Sequence, residues 1–165
     1  MAELMDGDMP VFLPIAEALS LQRVVDLLGG RRVFAHVLRD RLDAHEMLLR
    51  GLPGQALDYL VDHLLVLHKT VSLEKAVGMS LRTFQRRKDT PAKPLTQEQS
   101  GRTWKFAEIL VKATAVLGSQ EEAEHWLERS AMGMNQRSPI DLLATAAGVE
   151  LVEVFLERLD YGVYL

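Results

Sequence analysis

The fold is decided by the stretch Val77-Gly78-Met79-Ser80-Leu81-Arg82-Thr83-Phe84-Gln85-Arg86-Arg87-Lys88, which predicts a tight turn followed by a short helix. Gly78 permits the backbone conformation of such a turn, and Ser80 can accept a hydrogen bond from a free amide in the first turn of the helix. Phe84 is placed to anchor this helix to a core. The stretch therefore predicts the recognition half of a helix-turn-helix, a motif that places its second helix in a groove of nucleic acid.

Charge is distributed unevenly along the chain, whose formal net charge is -4. Residues 61–112 contain 10 Lys and Arg against 5 Asp and Glu, whereas residues 1–60 contain 6 against 9 and residues 113–165 contain 3 against 9. A cationic centre attracts phosphate, and an acidic end repels DNA. We therefore expect DNA at the centre of the chain and other partners at its ends.

The predicted recognition helix carries side chains suited to DNA. Arginine and glutamine can make bidentate contacts to base edges, so we expect Arg82, Gln85 and Arg86 to face the groove. Phosphate contacts position a protein without reading sequence, and the residues suited to them are Arg87, Lys88 and Lys93. Helix-turn-helix motifs often need a small residue four positions before the glycine of the turn, where this chain has Glu74.

Apolar residues recur at helical spacing through the N-terminal half of the chain. Residues 1–14 lack sustained periodicity and are expected to form a loose arm, with helix beginning after Pro14. The spacing of leucine and valine, interrupted by glycine, predicts helices over residues 21–28, 33–49 and 57–65. Ser72 is expected to cap a short helix that reaches Val77.

A proline-containing link separates the predicted recognition helix from the C-terminal half. Pro91 and Pro94 cannot continue a helix, and Thr96 with Gln99 has the sequence of a capping box that starts a new one. That helix is predicted to run to about residue 117, with Gly118 as its C-terminal cap.

Further helix signals complete the chain. Ser119 repeats the capping signature, Ser138-Pro139 places proline at a first helical position, and Gly148 is expected to interrupt helix before a last run over residues 149–159. Strand signals are essentially missing. The sequence therefore predicts a compact all-α, multi-helix protein with a central helix-turn-helix. Its expected regions are an arm (1–14), an N-terminal helical region with the helix-turn-helix (15–94) and a C-terminal helical domain (95–165).

Several classes of function are disfavoured by the composition. The chain has no cysteine, which excludes disulfides, thiolate zinc sites and cysteine nucleophiles. The five histidines lack the spacing of metal ligands, and the acidic residues Glu121, Glu122, Glu124 and Glu128 are expected on a solvated helix face. We therefore predict no catalytic residue, no metal, no cofactor and no enzymatic activity. No run of about 18 apolar residues and no secretory signal is present, so a soluble, cytoplasmic protein without a membrane partner is expected.

The C-terminal tail carries apolar bulk at a position that usually frays, with Tyr161, Val163, Tyr164 and Leu165 close together. Something should bury these side chains. Two readings remain open: the tail docks on the protein's own core, or it inserts into a groove of a partner.

Five stretches, in order, resemble landmarks of the MbcA/ParS/Xre antitoxin family, over roughly residues 51–165. They are Gly78-Met79-Ser80-Leu81-Arg82-Thr83-Phe84-Gln85-Arg86-Arg87-Lys88, Leu95-Thr96-Gln97-Glu98-Gln99-Ser100-Gly101-Arg102, Ala123-Glu124-His125-Trp126-Leu127, Ser138-Pro139-Ile140-Asp141-Leu142-Leu143-Ala144-Thr145 with Gly148, and Leu156-Glu157-Arg158-Leu159-Asp160-Tyr161-Gly162-Val163. One departure is Met132-Gly133-Met134-Asn135-Gln136-Arg137, where the family often has a pair of glycines before the proline helix.

The resemblance implies an antitoxin of the RES-Xre type, a class of type II toxin-antitoxin system. Its partner would be a RES-domain toxin that degrades NAD, encoded by a neighbouring gene and held inactive in the complex. The Xre-like helix-turn-helix would bind operator DNA for autoregulation, and a homodimer is expected. The residues carried over to DNA are Arg82, Thr83, Gln85, Arg86, Arg87 and Lys88. Those carried over to the toxin, as parts of a C-terminal toxin-binding domain, are Arg158, Tyr161, Gly162, Val163, Tyr164 and Leu165.

Two rival functions are compatible with the same residues. A stand-alone dimeric helix-turn-helix repressor would use its C-terminal helices only for dimerisation and would bury its tail internally. A helical adaptor would have no role on DNA, so it would not retard promoter DNA at low salt and would show no charge-dependent loss of binding as salt rises.

Overall fold

The computed structural model describes residues 15–130 and 134–162, and all regular structure within these residues is helical. The prediction of an all-α fold is confirmed. Residues 1–14, 131–133 and 163–165 lie outside the described residues, and with them the predicted loose arm, Met132 and Gly133 of the departure from the family pattern, and three of the tail residues. The division of the chain between residues 94 and 95 stays a prediction.

Eight α-helices and two 3₁₀ segments follow one another along the described residues. They are α1 (Ile15–Leu27), a 3₁₀ turn (Gly30–Arg32), α2 (Arg41–Arg50), α3 (Gly54–Asp62), α4 (Lys69–Val71, continued by a π-helix over Ser72–Val77), α5 (Leu81–Arg87), α6 (Gln97–Leu117), α7 (Gln120–Glu128), a second 3₁₀ segment (Pro139–Ala144) and α8 (Ala146–Asp160). None of the described helices is both long and apolar enough to cross a membrane.

Helix α6 lies at the centre of the fold and contacts α1, α2, the π-helix, α7, the second 3₁₀ segment and α8. Its buried positions include Trp104, Phe106, Ile109 and Leu110. The predicted capping box starts it, since Thr96 and Gln99 each accept a hydrogen bond from the other's backbone amide. Gly118 ends it in the left-handed conformation, with φ of +97°. Elements from both halves of the chain therefore pack on this helix.

The predicted helix over residues 33–49 is wrong in its first half. The backbone makes only a 3₁₀ turn over Gly30–Arg32, and α2 begins at Arg41. Asp40 sets this start because its carboxylate accepts a hydrogen bond from the Asp43 amide at 2.9 Å. An N-cap signal inside an apolar run therefore outweighed the continuous periodicity.

Two further helix boundaries differ from the sequence prediction. Ser72 does not cap a helix, because the chain is already helical from Lys69 and the buried Ser72 hydroxyl donates to the His68 carbonyl at 2.9 Å. The third run also ends sooner than expected, since α3 stops at Asp62 and the Leu65 side chain is exposed.

Gly148 does not interrupt a helix, contrary to the prediction, but lies in the first turn of α8. The Thr145 hydroxyl caps this helix by accepting a hydrogen bond from the Gly148 amide at 3.0 Å. A Cβ atom at this buried position would collide with the Leu142 carbonyl of the second 3₁₀ segment. Glycine therefore permits α8 and this segment to approach each other closely.

Candidate functional site

The predicted turn and recognition helix are present with the predicted caps. The π-helix ends at Gly78, whose φ of +75° is left-handed. The Ser80 hydroxyl accepts a hydrogen bond from the Thr83 amide at 3.1 Å and so starts α5. Phe84 is buried and anchors α5 to the core, as expected. The local sequence thus determines both the turn and the direction in which α5 leaves it.

Glu74 does not obstruct the crossing of the two helices. The residues before Gly78 follow π-helical spacing, in which the amide of Gly78 bonds to the carbonyl of Leu73, five positions earlier. Leu73 and Ala76 are buried, and Glu74 is exposed. The residue four positions before the glycine therefore does not lie on the buried face of this helix, and the packing does not require it to be small.

The six predicted DNA contacts divide into two groups. Arg82, Gln85 and Arg86 are exposed, and their side chains make no hydrogen bond or ion pair to any described residue. The other three side chains already have contacts inside the motif. The Thr83 hydroxyl accepts a hydrogen bond from Ser80, the Arg87 guanidinium donates to the Lys93 carbonyl at 2.9 Å, and the Lys88 ammonium lies 5.0 Å from the centre of the Phe84 ring.

Asp58 of α3 brings a carboxyl group close to the cationic end of α5. Partial burial raises the pKa of Asp58 above its ordinary value, and the neighbouring charge of Asp62 raises this pKa further. The positive charges of Lys88 and Arg87 act in the opposite direction on the same pKa, because they favour the carboxylate. Sequence reasoning missed Asp58, since it is 30 residues before Lys88 in the chain and no local pattern joins them.

An outward row of side chains lies on α8, opposite the face that packs on the core. Val152 and Leu156 are buried, whereas Leu151, Val154, Arg158 and Tyr161 are exposed. Their spacing of three, four and three residues places the four on one side of the helix. We call them the α8 row. Arg158 and Tyr161 were predicted from sequence, and Leu151 and Val154 were missed.

The α8 row is apolar at one end and includes a large aromatic side chain at the other. Leu151 is 58% exposed and Tyr161 is 82% exposed, so the described part of the tail does not dock on the core. Gly162 follows Tyr161 with φ of +70°. The predicted run over residues 149–159 already contained Leu151 and Val154 at helical spacing from Arg158. Apolar residues lie on both faces of this helix, however, and spacing alone does not tell which face packs on the core.

Acidic residues flank the α8 row on the side that faces α6. Lys105 and Lys112 of α6 lie 3.2 Å from Glu153 and 3.1 Å from Glu157, measured between ammonium nitrogen and carboxylate oxygen. Burial lowers the pKa of Lys105, but hydrogen bonds and charges from Glu108 and Glu153 outweigh it and leave this pKa raised. On the other side of α8, Phe155 stacks on Trp126 of α7, with ring centroids 6.1 Å apart. These contacts fix the orientation of α8.

Glu124 is not on a solvated face, contrary to the prediction, but is fully buried. Its carboxylate accepts hydrogen bonds from the amides of Leu65, Val66 and Leu67 at 2.7–3.0 Å, and from Gln120 at 2.7 Å. Buried charge is tolerated where its oxygens are satisfied in this way. The sequence concealed this role because the partners are backbone amides almost 60 residues away.

Two of the five histidines, His63 and His68, have side-chain contacts. His63 stacks on Tyr59, with ring centroids 3.8 Å apart, and His68 lies 3.5 Å from Glu128. Across residues 15–130 and 134–162, no group of three or more His, Asp or Glu side chains is arranged to hold a metal ion.

Comparisons with known proteins match both halves of the chain. Residues 43–108 match the family described as the antitoxin Xre-like helix-turn-helix domain, and residues 112–162 match the antitoxin Xre/MbcA/ParS C-terminal toxin-binding domain. A curated relative, antitoxin Xre of Pseudomonas putida KT2440, is 32% identical over 90 residues. That alignment covers 54% of this chain and 56% of the relative. The first match contains α5, and the second contains the whole of α8.

Proposed function

Because the chain belongs to the Xre/MbcA/ParS antitoxin family, we propose that it blocks a RES-domain toxin that degrades NAD and represses its own operon. The toxin would be encoded by a neighbouring gene. The chain acts in this proposal by occupying sites on its partners and not by catalysis. Two surfaces support the proposal, the α8 row and the cationic face of α5.

The α8 row is the observation that carries the proposal. Exposed apolar and aromatic side chains in a row, flanked by charged residues, are typical of protein interfaces, and Tyr and Arg are common among the residues that dominate binding energy. The row lies within the part of the chain that matches a toxin-binding domain. We propose Arg158 and Tyr161 as toxin contacts together with Leu151 and Val154.

The tail extends the same surface in the proposal. Gly162, Val163, Tyr164 and Leu165 follow Tyr161 directly and would close the nucleotide site of the toxin. A site that accepts NAD must attract an anionic pyrophosphate, so its surroundings are expected to be cationic. Residues 113–165 contain 9 Asp and Glu against 3 Lys and Arg, and this charge is complementary to such a site.

The second part of the proposal is binding of operator DNA by α5. Arg82, Gln85 and Arg86 are exposed and have no partner among the described residues, which leaves their donors available to base edges. Thr83, Arg87 and Lys88 are proposed to contact the backbone from the positions in which the motif holds them. Repression of the operon would follow from occupancy of its promoter.

A homodimer is proposed as the unit that binds DNA. Helix-turn-helix dimers bind two half-sites about one helical turn apart, which doubles the contact surface. Leu42 and Leu49 support a candidate contact, because both are exposed on the face of α2 opposite the buried Ala44. They are seven residues apart and therefore lie on the same side of that helix.

Co-expression with the RES-domain protein of the neighbouring gene tests the proposal. We expect a stoichiometric complex that preserves cellular NAD, and a chain lacking residues 160–165 that still binds promoter DNA but no longer protects NAD. A full-length chain that binds the promoter without forming a complex would instead favour the stand-alone repressor. Full protection by the shortened chain would refute the role given to the tail.

A further inference from the structure

Helix α4 and its π-helical continuation form the first helix of the helix-turn-helix, and residues outside the motif hold both ends. At the start, the loop before Lys69 is fixed by Glu124 of α7, through the hydrogen bonds from Leu65, Val66 and Leu67. Three amides that converge on one buried carboxylate leave the loop little freedom to move. The position at which α4 begins is therefore set by the C-terminal half.

At the other end, Arg102 of α6 caps the π-helix. Its Nε atom donates to the Ala76 carbonyl and its Nη2 atom donates to the Lys75 carbonyl, both at 2.9 Å. These carbonyls belong to the last turn of a helix, where they lack helical partners and where a positive charge is favourable. The same guanidinium lies against Gly78, at the turn that leads into α5. The direction of α5 is therefore set from α6.

A third contact connects this helix with the segment before α8. The Lys75 ammonium forms a short ion pair with Asp141 in the second 3₁₀ segment. The Leu142 carbonyl of that segment packs against Gly148 in α8. A continuous series of contacts thus joins the first turn of α8 to the first helix of the motif.

We propose that Glu124 and Arg102 are positioning residues for DNA binding, although neither belongs to the exposed face of α5. By fixing the two ends of the first helix, they hold the turn and α5 in one orientation before DNA is bound. Bidentate contacts to base edges require close geometry, so a motif held in place binds more tightly than one that must be ordered by the DNA. This inference rests on the DNA-binding part of the proposed function.

Matched charge-removing variants separate this role from a general effect on charge. Glu124→Gln is compared with Glu121→Gln, which alters an exposed carboxylate of the same helix. Arg102→Gln is compared with Arg129→Gln, which alters an exposed arginine outside the motif. The probe is a fluorescein-labelled duplex from the region upstream of the chain's own coding sequence. Anisotropy measures the affinity of the full chain for this duplex.

We expect Glu124→Gln and Arg102→Gln to weaken DNA binding by about ten-fold or more, which corresponds to about 1.4 kcal/mol. The two control variants should stay within about two-fold of the unaltered chain, as is usual for surface substitutions. Neutralisation of the co-expressed toxin should change much less than DNA binding in both positioning variants. Amides of α5 should exchange hydrogen faster, although the exposed arginines of α5 are intact.

Two results would overturn the inference: folded variants with unaltered DNA affinity, or equal losses of DNA binding and toxin neutralisation, which would indicate general destabilisation. If a glutamine variant does not fold, Arg102→Lys decides the matter, since it keeps the charge but loses the paired donors. The DNA affinity of Arg102→Lys should be lower than that of the unaltered chain. An affinity equal to that of the unaltered chain would contradict the inference. If the unaltered chain itself does not bind the duplex, the proposed DNA function fails first and the inference falls with it.

Discussion

The guanidinium group of Arg102 occupies the space into which a Cβ atom on Gly78 would project. Gly78 is thus constrained twice, by its left-handed φ of +75° and by this neighbour. The glycine of a helix-turn-helix is usually explained by the backbone conformation alone. In this chain the close approach of a side chain from α6 gives a second reason, and the two reasons can be measured separately.

Gly78→Ala should destabilise the protein by more than the cost of its φ angle. A left-handed conformation costs an L residue about 1–2 kcal/mol, and displacement of Arg102 adds the loss of its hydrogen bonds to the π-helix. The free energy of unfolding, measured with urea, should fall accordingly. Gly118→Ala is the matched control, because its φ is +97° but no atom lies within 4 Å of the added Cβ.

Equal losses of unfolding free energy in Gly78→Ala and Gly118→Ala would show that Arg102 contributes nothing to the requirement for glycine.

Gly101→Ala should change the free energy of unfolding in the opposite direction. Gly101 lies inside α6 with open space around an added Cβ, so alanine should raise the free energy of unfolding by about 0.5–1 kcal/mol.

Substitutions on α5 should separate base reading from phosphate binding. Arg82→Ala and Arg86→Ala should each cost about 1–3 kcal/mol on the operator and reduce discrimination against altered sequences. Lys88→Ala should weaken binding to all sequences alike and lower the salt dependence by about one unit of slope. Anisotropy titrations at several salt concentrations measure both effects. An identical profile for Arg82→Ala and Lys88→Ala would contradict the division.

Asp58→Asn should strengthen DNA binding modestly. Asp58 interacts electrostatically with Lys88 and Arg87, and removal of its negative charge leaves these cations more available to phosphate. The gain should shrink as the pH is lowered, because the raised pKa of Asp58 means that this carboxyl is neutralised at a higher pH than an ordinary aspartate. Affinities of both proteins over an acidic pH series test this. A constant difference at all pH values would count against the explanation.

Substitutions in the α8 row should weaken toxin binding without affecting stability or DNA. Leu151→Ala and Tyr161→Ala remove side chains that are mostly exposed in the free chain, and losses of about 2 kcal/mol or more are typical where such side chains anchor an interface. Calorimetry with an inactive toxin variant measures them. The control is Leu19→Ala, since Leu19 of α1 is 55% exposed, close to the 58% of Leu151. Equal effects at Leu19 and Leu151 would argue against a specific row.

The ion pair between Lys75 and Asp141 should stabilise the protein at neutral pH and not in acid. The Lys75 hydrogen bond, helped by Ser138, lowers the pKa of Asp141 in the folded state. A lowered pKa contributes stability that is present above the ordinary pKa of the carboxyl and is lost as the pH falls through the lowered value. Urea unfolding from neutral to acidic pH should therefore show a steeper loss for the unaltered chain than for Asp141→Asn. Parallel pH profiles would exclude the contribution.

Much of the architecture was predictable because it depends on local chemistry. The capping signals at Ser80, Thr96 and Ser119 are satisfied within the next three residues, and Gly118 ends α6 as its backbone freedom suggests. These interactions involve neighbours in the chain. Sequence spacing alone therefore contains the information needed to place them.

The errors arose where a distant contact decided the outcome. Glu124 was predicted to lie on an exposed acidic face, but the amides that donate hydrogen bonds to its carboxylate come from the loop before α4. Gly148 was predicted to interrupt a helix, but glycine is needed there because the Leu142 carbonyl leaves no room for a Cβ atom. Leu151 and Val154 lay inside the predicted last helix, but their exposure depends on which face of α8 packs on the core. Spacing along the chain cannot reveal which surfaces meet.

Helix α6 also limits how proteins of this design can diversify. It begins in the part of the chain that matches the helix-turn-helix domain and ends in the part that matches the toxin-binding domain, and its buried residues serve both. A recombination event that joined one such protein's first half to another's second half would have to break this helix or separate it from one of its cores. Under the proposed function, operator preference and toxin preference would therefore be inherited together. Each would change by point substitution on its own exposed helix.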